Sequence, residues 1–236
     1  MFRVRTIALV GAAFILPAAD ASAADMPPLP MPTVIEKLPI VQEFASNWYL
    51  RGDVGYRWNR TGGVSAAIAP DPTDNTIDSS YAFGGGAGYK MNWLRVDGTI
   101  DYGFDAKYKG DTVIAAPDYS LKINTLTALI NFYFDLGTWS GWTPYFGGGL
   151  GGSRVSTSGF TSALTPGDSV DNAAWNFAWA LMAGASYNIA PNLLLDVGYR
   201  YLNVGDAVSG LDSLSNQLTV KDLIAHEARI GLRWSM

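Results

Sequence analysis

Residues 48–58, WYLRGDVGYRW, alternate between two kinds of side chain along almost their whole length. One parity holds Trp48, Leu50, Val54, Tyr56 and Trp58, and the other holds Tyr49, Arg51, Asp53, Gly55 and Arg57. Successive side chains of a β-strand point to opposite faces of the sheet. A period of two over this length therefore predicts a strand with one apolar face and one charged face.

The same alternation recurs to the end of the chain. It is clear in residues 93–105, 193–202 and 226–236, and weaker in 80–90, 120–135, 142–153 and 174–188. The connections between these eight segments alternate between long and short, which is typical of a membrane barrel with short periplasmic turns and long outer loops. We therefore predict an all-β fold, an eight-stranded antiparallel up-and-down transmembrane β-barrel, over residues 46–236.

The charged face decides between a membrane barrel and a soluble one. In the regularly alternating parts of the predicted strands the charges share one parity, and the opposite parity is uncharged and rich in aromatic residues. A Lys or Arg that faces lipid at mid-bilayer costs about 2–4 kcal/mol, so we expect the charges to face a closed lumen. Eight strands leave room only for the barrel's own side chains. The predicted structural network of lumen charges contains seven basic and seven acidic residues: Arg51, Asp53, Arg57, Lys90, Arg95, Asp97, Asp101, Asp105, Asp135, Asp196, Arg200, Glu227, Arg229 and Arg233.

Tryptophans and glycines fit the same arrangement. Tryptophan favours the membrane–water interface, and we expect an interfacial aromatic belt of Trp48, Trp58, Trp93, Trp142, Trp175, Trp179 and Trp234. The glycine run at 143–154 has the spacing of a dinucleotide-binding loop, but no helical pattern follows it. By parity the glycines face the lumen, where they leave room for larger side chains of other strands. These lumen-facing glycines are Gly84, Gly86, Gly88, Gly147, Gly149 and Gly151.

The residues before the barrel indicate export. Residues 1–23 combine a basic start, an apolar stretch and small residues at Ala21 and Ala23, the pattern of a secretory signal peptide. Residues 24–45 are proline-rich and are predicted to form an extended periplasmic segment. The chain has no cysteine and a formal net charge of −5. This excludes a disulfide framework and makes nucleic acid an unsuitable partner.

Four stretches, WYLRGDVGYRW, AFGGGAGYK, LLLDVGYRYL and HEARIGLRW, resemble the small outer-membrane β-barrel proteins of alphaproteobacteria. That group is similar to the OmpA barrel and to the neisserial opacity proteins. The resemblance implies a barrel in the cell outer membrane with both termini in the periplasm, inserted by the barrel-assembly machinery among outer-membrane lipid and lipopolysaccharide. Members of the group are described as envelope-integrity and surface proteins, some as adhesins or haem binders. Such chains usually end in an aromatic residue, whereas this chain ends in Met236, two residues after Trp234.

Several functions are compatible with this sequence. The favoured one is a non-enzymatic structural and surface-interaction protein with a side-chain-filled polar lumen and four long extracellular loops that contact an extracellular ligand. The alternative is a narrow diffusion pore, which needs a gap in the lumen network. An outer-membrane enzyme or a haem-binding protein would each depend on His226, the single histidine. Glu227, the neighbouring acid, lies on the opposite face by parity. No cofactor or metal site is predicted.

Overall fold

The computed structural model describes residues 47–66, 74–111, 119–161, 171–211 and 217–236. The predicted signal peptide and proline-rich segment lie outside these ranges, as do the central parts of the four long connections. Within the described ranges, no helix is long and apolar enough to cross a membrane. The strands of these ranges are β1 Asn47–Arg60, β2 Gly63–Ala66, β3 Asp74–Ile77, β4 Ser80–Met91, β5 Leu94–Asp111, β6 Tyr119–Asp135, β7 Trp142–Thr161, β8 Asn172–Ala190, β9 Leu193–Asn203, β10 Ala207–Val208, β11 Leu218–Lys221 and β12 Ile224–Ser235.

Eight long strands close into a barrel. The strands β1, β4, β5, β6, β7, β8, β9 and β12 each pair antiparallel with two neighbours. Pairing of β1 with β12, from Tyr49 opposite Ser235 to Arg60 opposite Ile224, joins the two ends of the sheet. The predicted all-β, eight-stranded antiparallel barrel is confirmed. Because side chains alternate along each strand, one row points into the lumen and the other points outward, most regularly along β6.

The two ends of the barrel differ in the length of their connections. At one end, which we call the turn end, residues 92–93, 136–141 and 191–192 join β4 to β5, β6 to β7 and β8 to β9. Asn92 has a φ of 52° and Gly141 a φ of 84°. Asn and Gly adopt this left-handed conformation more readily than other residues, so short turns can form there. The opposite end, the loop end, carries the long connections.

The strands that flank the third long connection are longer than predicted. The alternation indicated strands at 142–153 and 174–188, but β7 continues to Thr161 and β8 begins at Asn172. In the extension of β7 the polarity of the two faces is reversed. Arg154 is exposed on the outward face, and Val155, 2% exposed, points inward. The pattern of an apolar outer face therefore ends before the strand does.

Two of the long connections contribute to a second, three-stranded sheet, which we call the cap sheet. Its order is β10-β11-β2, and Val220 of β11 lies between Ala207 and Val64 of its neighbours. Leu218, Val220 and Ala207 belong to the same buried cluster as side chains of the barrel wall. The sequence predicted only loops in these connections, because each strand of the cap sheet has four residues or fewer.

Candidate functional site in the barrel lumen

Thirteen charged side chains point into the lumen, concentrated toward the turn end, and we call them the charged part of the lumen. They come from six of the eight barrel strands, β1, β4, β5, β6, β9 and β12. Each is buried or half-buried, and each takes part in at least one ion pair within the set. The thirteen are Arg51, Asp53, Arg57, Lys90, Arg95, Asp97, Asp101, Asp135, Asp196, Arg200, Glu227, Arg229 and Arg233.

Glu227 is the centre of this network. Its side chain is fully buried, and three arginines surround its carboxylate. Arg57 Nε lies 2.5 Å from Oε1, and Arg200 Nε and Arg229 Nη1 lie 2.6 Å and 3.2 Å from Oε2. Arg57 also donates to the Thr125 hydroxyl at 2.8 Å. One carboxylate therefore bridges arginines from three strands.

Arg229 and Arg200 connect Glu227 to other carboxylates of the lumen. Asp101 lies 2.6 Å from Arg229 Nη2 and 2.9 Å from Arg200 Nη1. Arg229 also pairs with Asp53. Hydrogen bonds to ionised groups are shorter and stronger than neutral ones, so these contacts fix the relative positions of β1, β5, β9 and β12.

A second group of contacts surrounds Asp97. Its carboxylate accepts hydrogen bonds from Tyr49 at 2.9 Å and from Asn131 at 2.7 Å. Arg51 Nη1 lies 3.1 Å from the same carboxylate and also donates to the Tyr133 hydroxyl at 2.9 Å. Asp97 therefore links β1, β5 and β6 across the interior of the barrel.

Aromatic rings complete the network near the turn end. Arg95 pairs with Asp135 at 2.8 Å, and its guanidinium lies 4.7 Å from the ring centres of both Tyr133 and Tyr145. Lys90 pairs with the second oxygen of Asp135 at 3.1 Å. Cation–π contacts of this kind gain strength where water is excluded, so Arg95 is held by charge and by two aromatic faces.

Arg233 forms a further set of contacts in the charged part of the lumen. It lies 3.5 Å from Asp196, donates to the Ser186 hydroxyl at 2.8 Å, and its guanidinium lies 5.4 Å from the Tyr49 ring centre. Ser186 in turn donates to Asp196. Sequence parity gave no signal for Ser186, because an uncharged side chain on β8 does not stand out from its neighbours.

Asp105 is the exception among the fourteen predicted lumen charges. The β5–β6 register shifts between Gly103 and Ala106, and a β-bulge of this kind changes which face the following residues occupy. Asp105 is exposed, whereas Ala106 is buried. The Asp105 carboxylate accepts a hydrogen bond from Asn124 at 3.2 Å on the outer surface. Placing Asp105 in the lumen was wrong, and the lumen set has seven basic and six acidic side chains.

The glycines predicted to face the lumen lie where a larger residue would collide with a neighbour. A Cβ on Gly84, Gly86, Gly88, Gly147, Gly149 or Gly151 would lie under 3.0 Å from another atom. At Gly84 that neighbour is Asp101, at Gly88 it is Asp97 and Tyr49, and at Gly149 it is Asn131. Gly198, which shares the parity of Asp196 and Arg200, and Gly184 on the neighbouring strand leave the same kind of room for the Tyr145 hydroxyl.

Toward the loop end the lumen is filled by apolar side chains, and we call this cluster the apolar part. Its largest members come from extended barrel strands and from the cap sheet. The buried cluster contains Tyr108, Tyr119, Leu121, Ile123, Leu129, Val155, Phe160, Ala178, Ala180, Leu202, Val204, Ala207, Leu218, Val220, Leu223 and Ala225. The predicted polar lumen is therefore wrong for this part of the barrel, because side chains there pack against a folded cap instead of meeting water.

Hydrogen bonds attach the cap sheet to the barrel wall. Thr157 and Asn172 donate to the Val208 carbonyl at 2.9 Å and 3.0 Å. Asn176 donates to the Asp206 carbonyl at 2.7 Å. The Thr61 hydroxyl donates to the Lys221 carbonyl of the central strand β11 at 2.8 Å. The cap is thus bonded to β7, to β8 and to the residue that follows β1.

Within the described residues, the space left in the charged part is small. A cavity of about 20 Å³ is lined by Arg51, Asp53, Asn131, Tyr145 and Arg229, among others. A water molecule needs about 10–15 Å³ of such space. The cavity can hold about one water molecule and is far too small for a solute.

A family model described as an outer membrane protein beta-barrel domain matches residues 6–235. The chain belongs to this family. Its barrel is therefore a transmembrane barrel of the outer membrane, and the outward apolar band faces lipid.

Individual relatives and solved structures agree with this assignment. An uncharacterized protein of Brucella suis biovar 1 is 35% identical over 251 residues, covering 90% of this chain and 86% of that protein. A Rickettsia bellii protein named as a candidate adhesin is 28% identical over 211 residues, covering 80% of this chain and 88% of its own. The crystal structure of OprG from Pseudomonas aeruginosa has a TM-score of 0.58 at 18% identity, covering 84% of this chain and 100% of that chain, and shows the shared fold.

The tryptophans lie on the outer surface of the family barrel. Trp48, Trp93, Trp142 and Trp234 lie near the turn end, and Trp58, Trp175 and Trp179 lie toward the loop end. All are exposed except Trp179, which is half-buried. Indole rings favour the level of the lipid headgroups, so the two groups are placed to mark the two membrane interfaces.

His226 lies on the outward face, separated from the lumen by the barrel wall. Its Nδ1 is 2.5 Å from the Tyr199 hydroxyl, and its ring packs edge-on against Tyr201 with centres 5.4 Å apart. Glu227 points into the lumen and is fully buried. A histidine–carboxylate pair of the kind that an enzyme would need is therefore not formed between these two residues.

Proposed function

We propose that this protein is a non-conducting surface protein of the outer membrane. The barrel is a rigid anchor with a sealed lumen, and the cap sheet and long connections at the loop end contact partners outside the cell. The observation that carries the proposal is the double filling of the lumen, by a charge network toward one end and an apolar cluster toward the other.

The sealed lumen supports the absence of conduction. An eight-stranded barrel has an interior just wide enough for its side chains, and the charged part leaves a cavity of about 20 Å³. A solute crossing the barrel would have to separate buried ion pairs and then displace the packed apolar part. The alternative function is a narrow diffusion pore, which would show single-channel conductance in planar bilayers.

The outer surface supports an orientation with the loop end outside the cell and both chain termini in the periplasm. Among the described barrel strands, the outward charged side chains lie at the loop end, and include Arg60, Lys107, Lys122 and Arg154. The barrel-assembly machinery would insert the chain in this direction, with its short turns in the periplasm. The loop end would then meet the lipopolysaccharide-containing leaflet.

The loop end is the surface on which a partner would bind. The cap sheet and the ends of β7 and β8 form a folded platform there, joined by the contacts of Thr157, Asn172 and Asn176. The relative named as a candidate adhesin supports a role in surface contact. We propose that an extracellular ligand is recognised by this platform and not by the lumen.

Conductance and orientation can be tested separately. In planar bilayers, the purified barrel should give no reproducible single-channel steps, and a stable conductance would contradict the sealed lumen. Because the chain has no cysteine, single cysteines can report orientation. Asp171→Cys at the loop end should react with a membrane-impermeant maleimide on intact cells, and Asn192→Cys at the turn end should react only after the outer membrane is opened. The reverse pattern would overturn the orientation.

Physiological roles need cell-based measurements. A deletion strain that leaks periplasmic enzyme would support an envelope-integrity role, and one that only loses attachment to host cells would support surface contact. A deletion strain that retains its periplasmic enzyme and attaches to host cells as well as the parent strain would contradict both roles.

A further inference from the structure

The cap sheet continues the strand pair that closes the barrel. That pair, β1 with β12, is called the seam, and it ends at Arg60 opposite Ile224. Three residues further on along each strand, Gly63 lies opposite Lys221 and begins the pairing of β2 with β11. The register is therefore the same on both sides of the interruption, with no residue inserted. The seam and two strands of the cap form one antiparallel ribbon that bends over the lumen.

The bend is built from two residues on each strand. Thr61 and Gly62 lie on one side, and Asp222 and Leu223 lie on the other. Asp222 has a φ of 49°, a conformation that Asp adopts more readily than most residues. The Gly62 N–H donates to the carbonyls of Lys221 at 3.0 Å and Asp222 at 3.3 Å. Hydrogen bonds thus join the two strands through the bend itself.

The ribbon is anchored beyond the bend. Val220, fully buried, lies between Val64 on β2 and Ala207 on β10, and it packs in the apolar part of the lumen. The next residue of β10, Val208, accepts hydrogen bonds from side chains of β7 and β8. The cap therefore ties the two strands of the seam to each other and to a part of the wall outside the seam.

The seam differs from every other strand pair of the barrel in its connectivity. The other neighbouring barrel strands follow one another along the chain, whereas β1 and β12 are the first and the last. A short connection keeps two strands close after they separate, so pairing them again costs less chain entropy than closing a long loop. The seam also contains Gly52, Gly55 and Gly231, and glycine weakens the interior of a strand.

Side-chain contacts hold the middle of the seam but not its loop end. Arg57 and Glu227 are direct partners and lie 2.5 Å apart, and Asp53 pairs with Arg229. From there to Arg60, no ion pair between described residues crosses the seam. The pairing of β2 with β11 is the next contact between the two strands at that end.

We infer that the cap sheet is a latch on the seam. Pairing of β2 with β11 holds the loop-end parts of β1 and β12 together, and the barrel opens at this point only after the cap has come apart. The latch depends neither on the orientation of the barrel in the membrane nor on a partner bound at the loop end.

Hydrogen exchange of the full-length protein in phosphatidylcholine nanodiscs, followed by mass spectrometry, provides the test. Val220→Pro breaks the cap, because proline inside a sheet removes a ladder hydrogen bond. The control is Val155→Ala, which shortens a buried valine of the same apolar cluster on β7 and leaves the cap pairing intact. Heat-modifiable migration on gels verifies that both variants are folded.

In Val220→Pro we expect the amides of residues 56–60 and 224–228 to exchange about tenfold faster than in the wild type, and those of residues 126–132 on β6 to change by less than about twofold. Val155→Ala should leave the seam no more affected than β6. Unchanged exchange at the seam of Val220→Pro, or an equal rise on β6, would overturn the inference.

A reversible cross-link tests the latch without breaking the cap. Ser65 and Thr219 are direct partners, and the chain has no cysteine, so S65C/T219C can form a single disulfide between β2 and β11. The oxidised form should exchange more slowly at residues 56–60 and 224–228 than the reduced form, with no difference on β6. Equal exchange at the seam in the two forms would overturn the inference even if Val220→Pro does not fold.

Discussion

The charged and apolar parts of the lumen fill one barrel by different physical means. In the charged part each side chain depends on particular partners, and Arg57 meets one carboxylate, Glu227, among the described residues. In the apolar part Leu202, Leu218 and Phe160 are held by contact and shape. Removing one member of a buried ion pair leaves an uncompensated charge, whereas shortening an apolar side chain costs free energy that grows with the cavity left. The two parts should therefore respond differently to substitution.

The outer surface changes in parallel with the interior. Along the lipid-facing strands the charges are inside and the apolar side chains outside, as at Asp97 and Ile100 of β5. Beyond the bulge of the same strand, Lys107 is exposed and Tyr108 is fully buried. Burial raises the pKa of the Tyr108 hydroxyl, which keeps it protonated as a donor to Asn75. The loop end is thus built like a water-soluble protein on the end of a membrane protein.

The largest effect is expected from Glu227→Gln in the charged part. The substitution keeps the shape of the side chain and removes the charge that Arg57, Arg200 and Arg229 share. Loss of a buried ion-pair partner costs about 3–5 kcal/mol. We expect the free energy of unfolding to fall by that amount, measured by urea titration of the barrel in phospholipid vesicles.

Asp105→Asn is the matched control for that substitution. Asp105 is an exposed carboxylate, so removal of its charge should change the free energy of unfolding by less than about 0.5 kcal/mol. Equal losses in the two variants would show that the buried network contributes no more than surface charge.

Leu202→Ala in the apolar part should have the next largest effect. Leu202 of β9 is fully buried in the cluster that also contains residues of the cap sheet, and truncating a buried leucine costs about 3 kcal/mol. The same titration measures it. Leu211→Ala is the control because Leu211 is 55% exposed, and its loss should be within about 0.5 kcal/mol. A Leu202 variant as stable as the Leu211 variant would mean that the apolar part does not stabilise the barrel.

A smaller effect is expected when side-chain volume is added to the charged part. A Cβ on Gly86 would collide with the Gly98 carbonyl and lie 3.1 Å from Thr99 Cα. Overpacking costs about 1–3 kcal/mol, and Gly86→Ala should lower the free energy of unfolding by about 2 kcal/mol. Gly98, on the outward face of the adjoining strand, has no atom within 4 Å of the position that a Cβ would take, so Gly98→Ala should not be destabilising. The opposite order would contradict the packing of the lumen.

The membership of the charged part could largely be predicted from the sequence. In a regular strand, the face that a residue occupies depends only on whether its position is odd or even. Residues such as Asp97 and Arg200 keep their face along a regular strand, so the alternation assigns them without knowledge of their partners. Asp105 was misplaced because the bulge between Gly103 and Ala106 adds a residue that leaves no mark in the alternation. The pairing of Glu227 with three arginines depends on barrel closure and register, which local patterns do not carry.

The apolar part could not be read from the sequence for a different reason. Leu121 and Ile123 are apolar residues on the inward parity. A polar lumen does not predict apolar side chains at such positions. Their role depends on Leu218 and Val220, which lie far along the chain in a strand of four residues. A strand of that length is too short for a period to be recognised, so the cap sheet forms only when the barrel brings the connections together.

The smallest expected effect is on conductance, and it tests whether each part seals the lumen alone. Arg229→Ala opens space beside Asp53 and Asp101 but leaves the apolar part intact. Leu218→Ala does the reverse, since the charged part does not include it. Neither single variant should show single-channel steps in planar bilayers, because an eight-stranded interior is narrow enough for one remaining layer to block it. Steps from Arg229→Ala alone would show that the apolar part is not a seal, and steps from Leu218→Ala alone would show the same of the charged part.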